Sequence, residues 1–213
     1  MYCILVAGMP ASGKSTLAAF LSQKLGIPLL SKDSVKEILF DDLGFSSRAE
    51  KVRLGVAALD ILYHTAGQLM AASQSLILEN NFEDASLPGL TRLLARYGCT
   101  AVTVRLVGDP EVIYRRFAAR DLSPTRHRGH VVNDQYPEAP GSPRENPTQK
   151  SYAQFLSDIE ARGYCRFQAG GPVVEVDVTD LEKLDYGLVL AQVFGALRRV
   201  RAESEEPHSD QEG

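Results

Sequence analysis

Ile4-Leu5-Val6-Ala7-Gly8-Met9-Pro10-Ala11-Ser12-Gly13-Lys14-Ser15-Thr16 decides the reading of this chain: an apolar run enters the pattern G-x-x-x-x-G-K-[ST] and leaves it as a helix. Glycines at positions 8 and 13 let the backbone curl until several N–H groups point into one anion-sized hollow, and the helix behind presents the positive end of its dipole. Lys14 adds a mobile charge for the outer phosphates, and the Ser15 hydroxyl stands where a magnesium ligand is required. Gly8, Pro10, Ala11, Ser12, Gly13, Lys14, Ser15 and Thr16 are therefore expected to hold a nucleotide triphosphate. The surroundings favour this over a chance glycine-rich turn. Residues 2–7 are expected to form a strand, and Leu17, Phe20, Leu21 and Leu25 share one face of the helix that Gly26 stops.

Outward from this motif, strands and helices alternate. Ile27-Pro28-Leu29-Leu30 is expected as a short buried strand, and Ser34 with Glu37 as a capping box opening a helix to about Leu43. A long helix is expected from Ser47 to Ala72, with Val52, Val56, Leu59, Leu62 and Tyr63 as its packed stripe. Ser75-Leu76-Ile77-Leu78 has the profile of a central parallel strand running into Glu79-Asn80-Asn81. A helix with Leu87, Leu90, Leu94 and Tyr97 follows, then a strand from Ala101 to Val107. Asp109-Pro110-Glu111 reads as N-cap, Pro at the first helical position and acidic first turn, with the helix running to about Asp121. From Leu122 to Pro147 periodicity is lost and Pro137, Pro140, Pro143 and Pro147 exclude regular structure. Two more helices bracket a strand at Val173–Val178, and the acidic tail over 202–213 is expected to be disordered. The fold class is therefore α/β, a parallel sheet with helices on both faces.

At 213 residues and 44% hydrophobic content the chain fits one domain, 1–201, with an insertion at about 115–147 as a lid. No apolar run is long enough to span a bilayer, and a strand from residue 2 leaves no room for a signal peptide, so a cytoplasmic protein is expected. Cys3, Cys99 and Cys165 lack C-x-x-C spacing and read as free thiols. A net charge of −4 and a pI near 5.6 give no overall attraction to nucleic acid or anionic membrane, which favours a small soluble partner and a monomer or homodimer.

In such a sheet ligands gather at the carboxyl ends of the strands. Two carboxylates fall there. Asp33 is the expected general base, because phosphoryl transfer needs an acceptor hydroxyl oriented and deprotonated opposite the γ-phosphate; the alternative is a helix cap. Glu79 is expected to hold a magnesium-bound water or orient the acceptor, the alternative being a polar strand end; Ser15 and Glu79 are thus the metal candidates. Lys36 and Asn81 join them on the acceptor side, and Thr179 is expected against the nucleotide.

Arg115, Arg116, Arg120, Arg126, His127, Arg128 and His130 form a basic cluster, with Arg116 and Arg120 on one helix face. Arginines on a mobile cover neutralise charge on the transferring phosphoryl group, so Arg120 and Arg126 are the expected catalytic pair and Arg116 a nucleotide contact. Arg128, His130 and Tyr136 are expected to face the acceptor. The alternative is a solvated basic face.

Together the 8–16 loop, Ser31-Lys32-Asp33-Ser34-Val35-Lys36-Glu37, Leu78-Glu79-Asn80-Asn81-Phe82 and Arg126-His127-Arg128-Gly129-His130 resemble the small P-loop kinases labelled AAA-type ATPases. That group borders on chloramphenicol phosphotransferase, zeta toxins and polynucleotide kinases. The resemblance covers about residues 2–200 and implies a sheet of order 2-3-1-4-5, ATP with Mg2+, and transfer of the γ-phosphate to a hydroxyl. It also implies a base at Asp33 and lid arginines on ATP. It leaves the acceptor open: an antibiotic, nucleoside or sugar derivative, with a polynucleotide or nucleotide kinase, or an ATPase without acceptor, as alternatives.

Overall fold

The computed structural model describes residues 1–141 and 150–205, with side chains through residue 202. Pro143, Pro147 and most of the acidic tail lie outside the described residues. Five strands, β1 (Tyr2–Gly8), β2 (Leu29–Ser31), β3 (Leu76–Glu79), β4 (Thr100–Val107) and β5 (Val173–Asp177), form one parallel sheet of order β2-β3-β1-β4-β5. The central strand is β1, and Cys3 through Ala7 are completely buried because both faces are covered by helices.

One face packs against α1 (Lys14–Leu25), α7 (Tyr152–Arg162) and α8 (Tyr186–Glu205), with Leu17, Leu21, Phe155, Val193 and Leu197 in the core. The opposite face is covered by α3 (Arg48–Ala71) and α4 (Leu87–Arg96) through Leu62, Ala66, Met70 and Leu90. Helix α5 (Pro110–Leu122) begins as its sequence predicts: Asp109 accepts from the N–H groups of Glu111 and Val112, with Pro110 at the first helical position. Helix α8 extends to Glu205, so the first residues of the expected tail continue it.

Three local expectations are corrected. Helix α2 (Lys32–Leu43) starts with Ser31 as N-cap, so the Ser34–Glu37 capping box does not form. The reason is that the Ser31 hydroxyl donates instead to Glu79 Oε2 at 2.6 Å, tying the helix start to the neighbouring strand end. On α3, Val52 and Val56 are more than half exposed, while Lys51, Ala58, Leu62, Ala66 and Met70 form the buried stripe. Leu62, Ala66 and Met70 of this stripe face the sheet, and Lys51 at its start faces the carbonyls of His130 and Val132. Lastly, the aperiodic segment contains a single helical turn, α6 (Arg128–Val131), whose first N–H bond is made by the His127 ring. Four residues are too few to leave a periodic signature.

Candidate active site

The loop between β1 and α1 owes its shape to backbone conformations that few sequences tolerate. Gly8 sits at φ 142°, where a Cβ would lie 2.6 Å from the Leu106 carbonyl oxygen, and Gly13 at φ 91° caps α1 in the left-handed region. Ala11 adopts φ 64° between them. The first N–H groups of α1 have no intrahelical acceptor and face the loop's concavity. The Ser12 hydroxyl is buried without a partner among the described residues, and the buried Lys14 amine rests on the Met9 carbonyl at 2.7 Å. An oriented cradle with an orphaned hydroxyl and a parked ammonium fits a polyphosphate.

A cleft of about 630 Å³ opens in front of this loop at the carboxyl ends of the strands. Pro10, Ala11, Gly13, Lys14, Ser15 and Thr16 line it, whereas Gly8 and Ser12 shape the loop from behind. Burial pushes the Lys14 amine down to about 8, with Glu79 and Asp33 pulling it back up. Glu79 is buried at the end of β3, and that burial raises its carboxyl above the ordinary glutamate range although Lys14, Ser31 and Ser15 oppose the shift. The Ser15 hydroxyl and the Glu79 carboxylate thus share one end of the cleft. Among the described residues no group of three or more His, Cys, Asp or Glu is gathered for a metal ion. Two oxygen donors suit Mg2+, which is usually held by one or two protein groups together with substrate phosphates.

Asp33, in the first turn of α2, opens directly into the cleft. The surrounding walls penalise its charge, but the neighbouring cations, His130 when protonated and Lys36, Arg126 and Lys14 throughout, outweigh that penalty and hold it below the ordinary aspartate range. Asn80 and Asn81 also line the cleft, and they are followed by a left-handed Phe82 (φ 46°) that is fully buried and stacked on Phe167 at 5.0 Å. Left-handed backbone at a non-glycine residue costs on the order of 1–3 kcal/mol and clusters at functional sites.

The basic cluster divides. Arg116 lines the cleft, but its guanidinium clamps the carbonyls of Val178 (2.5 Å) and Thr179 (2.6 Å), fixing the loop after β5. Thr179 is outside the lining and its hydroxyl accepts from the Asp109 N–H. Arg120 lines the cleft beside Asp121, at 3.3 Å. Arg126 lines it too, with a buried Nε that makes no hydrogen bond among the described residues. His130 lines it while its Nε2 meets Glu37 at 2.8 Å; burial pushes this imidazole down, so it is neutral at physiological pH. Arg115 is exposed, and Arg128 (paired with Glu138) and Tyr136 are outside the lining.

The segment that carries these groups is fastened to α2 and α3. His127 Nε2 lies 3.0 Å from Asp41, the Tyr136 hydroxyl donates to the same carboxylate at 2.6 Å, and Phe45 exchanges backbone hydrogen bonds with Tyr136 at 2.7 and 2.8 Å. Gly129 presses on Phe40 so closely that a Cβ would come within 2.4 Å of its ring. Lys51, the lysine of the α3 stripe, donates to the carbonyls of His130 (2.9 Å) and Val132 (2.5 Å) and to Asn133 Oδ1 (3.2 Å). Arg48 donates to the same Asn133 oxygen at 2.7 Å. Lys51, Arg48 and Asn133 all line the cleft and escaped the sequence reading. Their one legible signal is a lysine standing in the buried stripe of an amphipathic helix.

A profile of the family described as AAA domain matches residues 3–137. No curated protein matches the chain. Among solved structures, a protein from Chloroflexus aurantiacus J-10-fl described as a "putative kinase" is 31% identical with a TM-score of 0.71, covering 93% of this chain and 96% of that one. A gluconokinase from Sinorhizobium meliloti 1021 is 15% identical with a TM-score of 0.54, covering 93% of each chain. A shikimate kinase from Bacteroides thetaiotaomicron is 16% identical with a TM-score of 0.54, covering 92% of this chain and 98% of that one. At these last two identities the likeness speaks for the fold alone.

Proposed function

The chain belongs to the AAA-domain family of P-loop proteins, and from that premise we propose that it is a kinase transferring the γ-phosphate of ATP to a hydroxyl of a small molecule, with Asp33 as general base. The observation that carries this reading is the placement of an ionised Asp33 in the same cleft as Lys14 and Ser15. An ionised carboxylate facing the phosphate loop can orient an acceptor alcohol and take its proton as the bond to phosphorus forms, and no equivalent group is needed merely to bind nucleotide. The kinase described among the similar structures supports the same class of reaction.

Mg2+ held by Ser15 and Glu79 would neutralise charge on the β- and γ-phosphates. Lys14 leaves the Met9 carbonyl to meet the outer phosphates, and Arg120 and Arg126 balance the charge that develops on the transferred group. Arg120 at the end of α5 and Arg126 on the segment that follows flank the cleft, where with nucleotide and acceptor bound they would help to exclude water. No helix of the described residues is long and apolar enough to cross a membrane, in keeping with a soluble substrate in the cytoplasm.

ADP release measured against a panel of hydroxyl compounds tests the proposal, the panel including sugars, nucleosides and hydroxyl-bearing antibiotics. Turnover raised at least tenfold by one compound, with its phosphoester recovered, is the expected result. Turnover indifferent to every alcohol would make the protein an ATPase, and steeply salt-dependent stimulation by oligonucleotides would make it a polynucleotide kinase.

A further inference from the structure

The cleft carries a charge opposite to that of the molecule. Nine lysines and arginines but four carboxylates line it, in a chain whose net charge is −4. Several of those cations are already engaged: Arg116 on carbonyls, Arg120 beside Asp121, Lys150 with Asp158 and Arg162 with Glu83. Lys51, like Arg116, is spent on carbonyls, whereas its neighbours Lys36 and Arg48 keep N–H groups for a ligand. Among the described residues none of the three has a carboxylate within ion-pair distance. They stand close enough that Lys36 and Arg48 each disfavour the charge on Lys51, and Arg48 that on Lys36. Lys14 feels Arg120 and Arg126 but not this trio as a principal neighbour, while Asp33 feels both Lys14 and Lys36. Lys36 stands one turn beyond Asp33 on α2, and Arg48 and Lys51 stand at the start of α3, so the cluster belongs to the wall of the cleft rather than to the P-loop.

We propose that Lys36, Arg48 and Lys51 form an anion subsite for the acceptor, so that the substrate is a small hydroxyl compound bearing a carboxylate or phosphate group. This rests on the phosphotransfer reading of the same cleft. Burial and the neighbouring Lys36 and Arg48 push the Lys51 amine down to about 7, and an anion beside the trio favours its charged form while taking charge-assisted hydrogen bonds from Lys36 and Arg48. The trio is also a built arrangement. Lys51, only 5% exposed, is fixed by three oxygens of the α6 segment; Arg48 shares one of them, the Asn133 Oδ1, with guanidinium N–H groups to spare; and the Lys36 amine projects over the Phe40 ring at 5.2 Å. With the anion held there, an acceptor hydroxyl on the same molecule is directed back to Asp33. A cationic acceptor such as an aminoglycoside is excluded by the same charges, which is discrimination by repulsion.

Two measurements test this on the full-length protein. In the first, protein saturated with Mg2+ and a non-hydrolysable ATP analogue, so that the P-loop is filled, is titrated with inorganic phosphate in a calorimeter. One saturable site is expected, weakened about 10- to 100-fold in Arg48→Gln and in Lys36→Gln, the range for losing one charge-assisted hydrogen bond. In the second, wild-type turnover is compared across two matched sets: glucose, gluconate, glucose 6-phosphate and glucosamine, and adenosine with AMP. The anionic members are expected to exceed their neutral parents in kcat/KM by at least tenfold. The proposal is overturned if phosphate binds wild type and the Lys36→Gln/Arg48→Gln double variant equally, or if neutral or amine-bearing members are turned over best. If no compound stimulates ADP release, the phosphotransfer reading falls, while the phosphate titration still decides the anion site.

Discussion

The floor and the wall of the cleft are built in different ways. The floor is the loop from Gly8 to Thr16, a contiguous stretch whose shape follows from two glycines, a left-handed alanine and the start of one helix. The wall joins the first turn of α2, the first turn of α3 and the α6 segment, which are separated by up to about a hundred residues in sequence and held by Asp41, Lys51, Phe40 and Phe45. A floor made of backbone can hold any polyphosphate. A wall made of side chains, brought together only by folding, is where one acceptor can be told from another, as expected of sites grafted onto a common scaffold.

The largest expected effect lies at the junction of the two. Asp33→Asn keeps the shape of the residue and the start of α2 but cannot accept a proton, so phosphoryl transfer should fall by about 10²–10⁴ while nucleotide affinity holds. Transfer near the wild-type rate would return Asp33 to a role in capping and move the base to Glu79. On the floor, Lys14→Ala should lower kcat by about 10²–10³, the scale for one preorganised charge donor, in a protein that circular dichroism finds folded. Normal turnover in that variant would mean that the floor is not the phosphate site.

Gly129→Ala probes the wall alone. Its new methyl would meet the fully buried Phe40 ring at 2.4 Å, and overpacking of this kind destabilises by about 1–3 kcal/mol. Thermal unfolding should register that loss, and the KM for the acceptor should rise while the Kd for a non-hydrolysable ATP analogue stays constant. Equal effects on both ligands would erase the distinction between floor and wall.

The smallest effect is a displacement in pH. Glu79 is raised by burial, so it gains its proton as pH falls through a value above the ordinary glutamate range, whereas Asp33, held low, stays ionised there. The acid limb of kcat/KM should accordingly belong to Glu79. Glu79→Gln should flatten that limb in a pH–rate profile, and the residual activity of Asp33→Asn should retain it; the reverse pattern would exchange their roles.

How much of this was legible in the sequence follows the same division. The strand, loop and helix from Tyr2 to Leu25 were readable because each step is local: apolar run, glycines at fixed spacing, amphipathic helix. The alternation beyond it gave the parallel sheet, and the Asp109-Pro110 signal gave the start of α5. Glu79 and Asp33 were placed at strand ends by the same logic. What failed was also local in form but decided elsewhere. Ser34 and Glu37 have the spacing of a capping box, yet α2 starts earlier, with Ser31 at the N-cap position and its hydroxyl given to Glu79, 48 residues away, rather than to the helix. Val52 and Val56 have the spacing of a buried stripe, yet the close approach of α2 and the α6 segment turns Lys51 inward instead.

The sequence by itself therefore determined the α/β class, the phosphate loop and the carboxylates facing it, since these depend on backbone freedom and on periodicities of a few residues. Only the tertiary structure decided which cations face the cleft and which are engaged: Arg116 on the carbonyls after β5, Arg128 on Glu138, and Lys36, Arg48 and Lys51 gathered beside Asp33. The physical reason is that an arginine or lysine side chain reaches many partners at similar cost, so its choice is made by whichever oxygen the fold brings near, and that oxygen is distant in sequence.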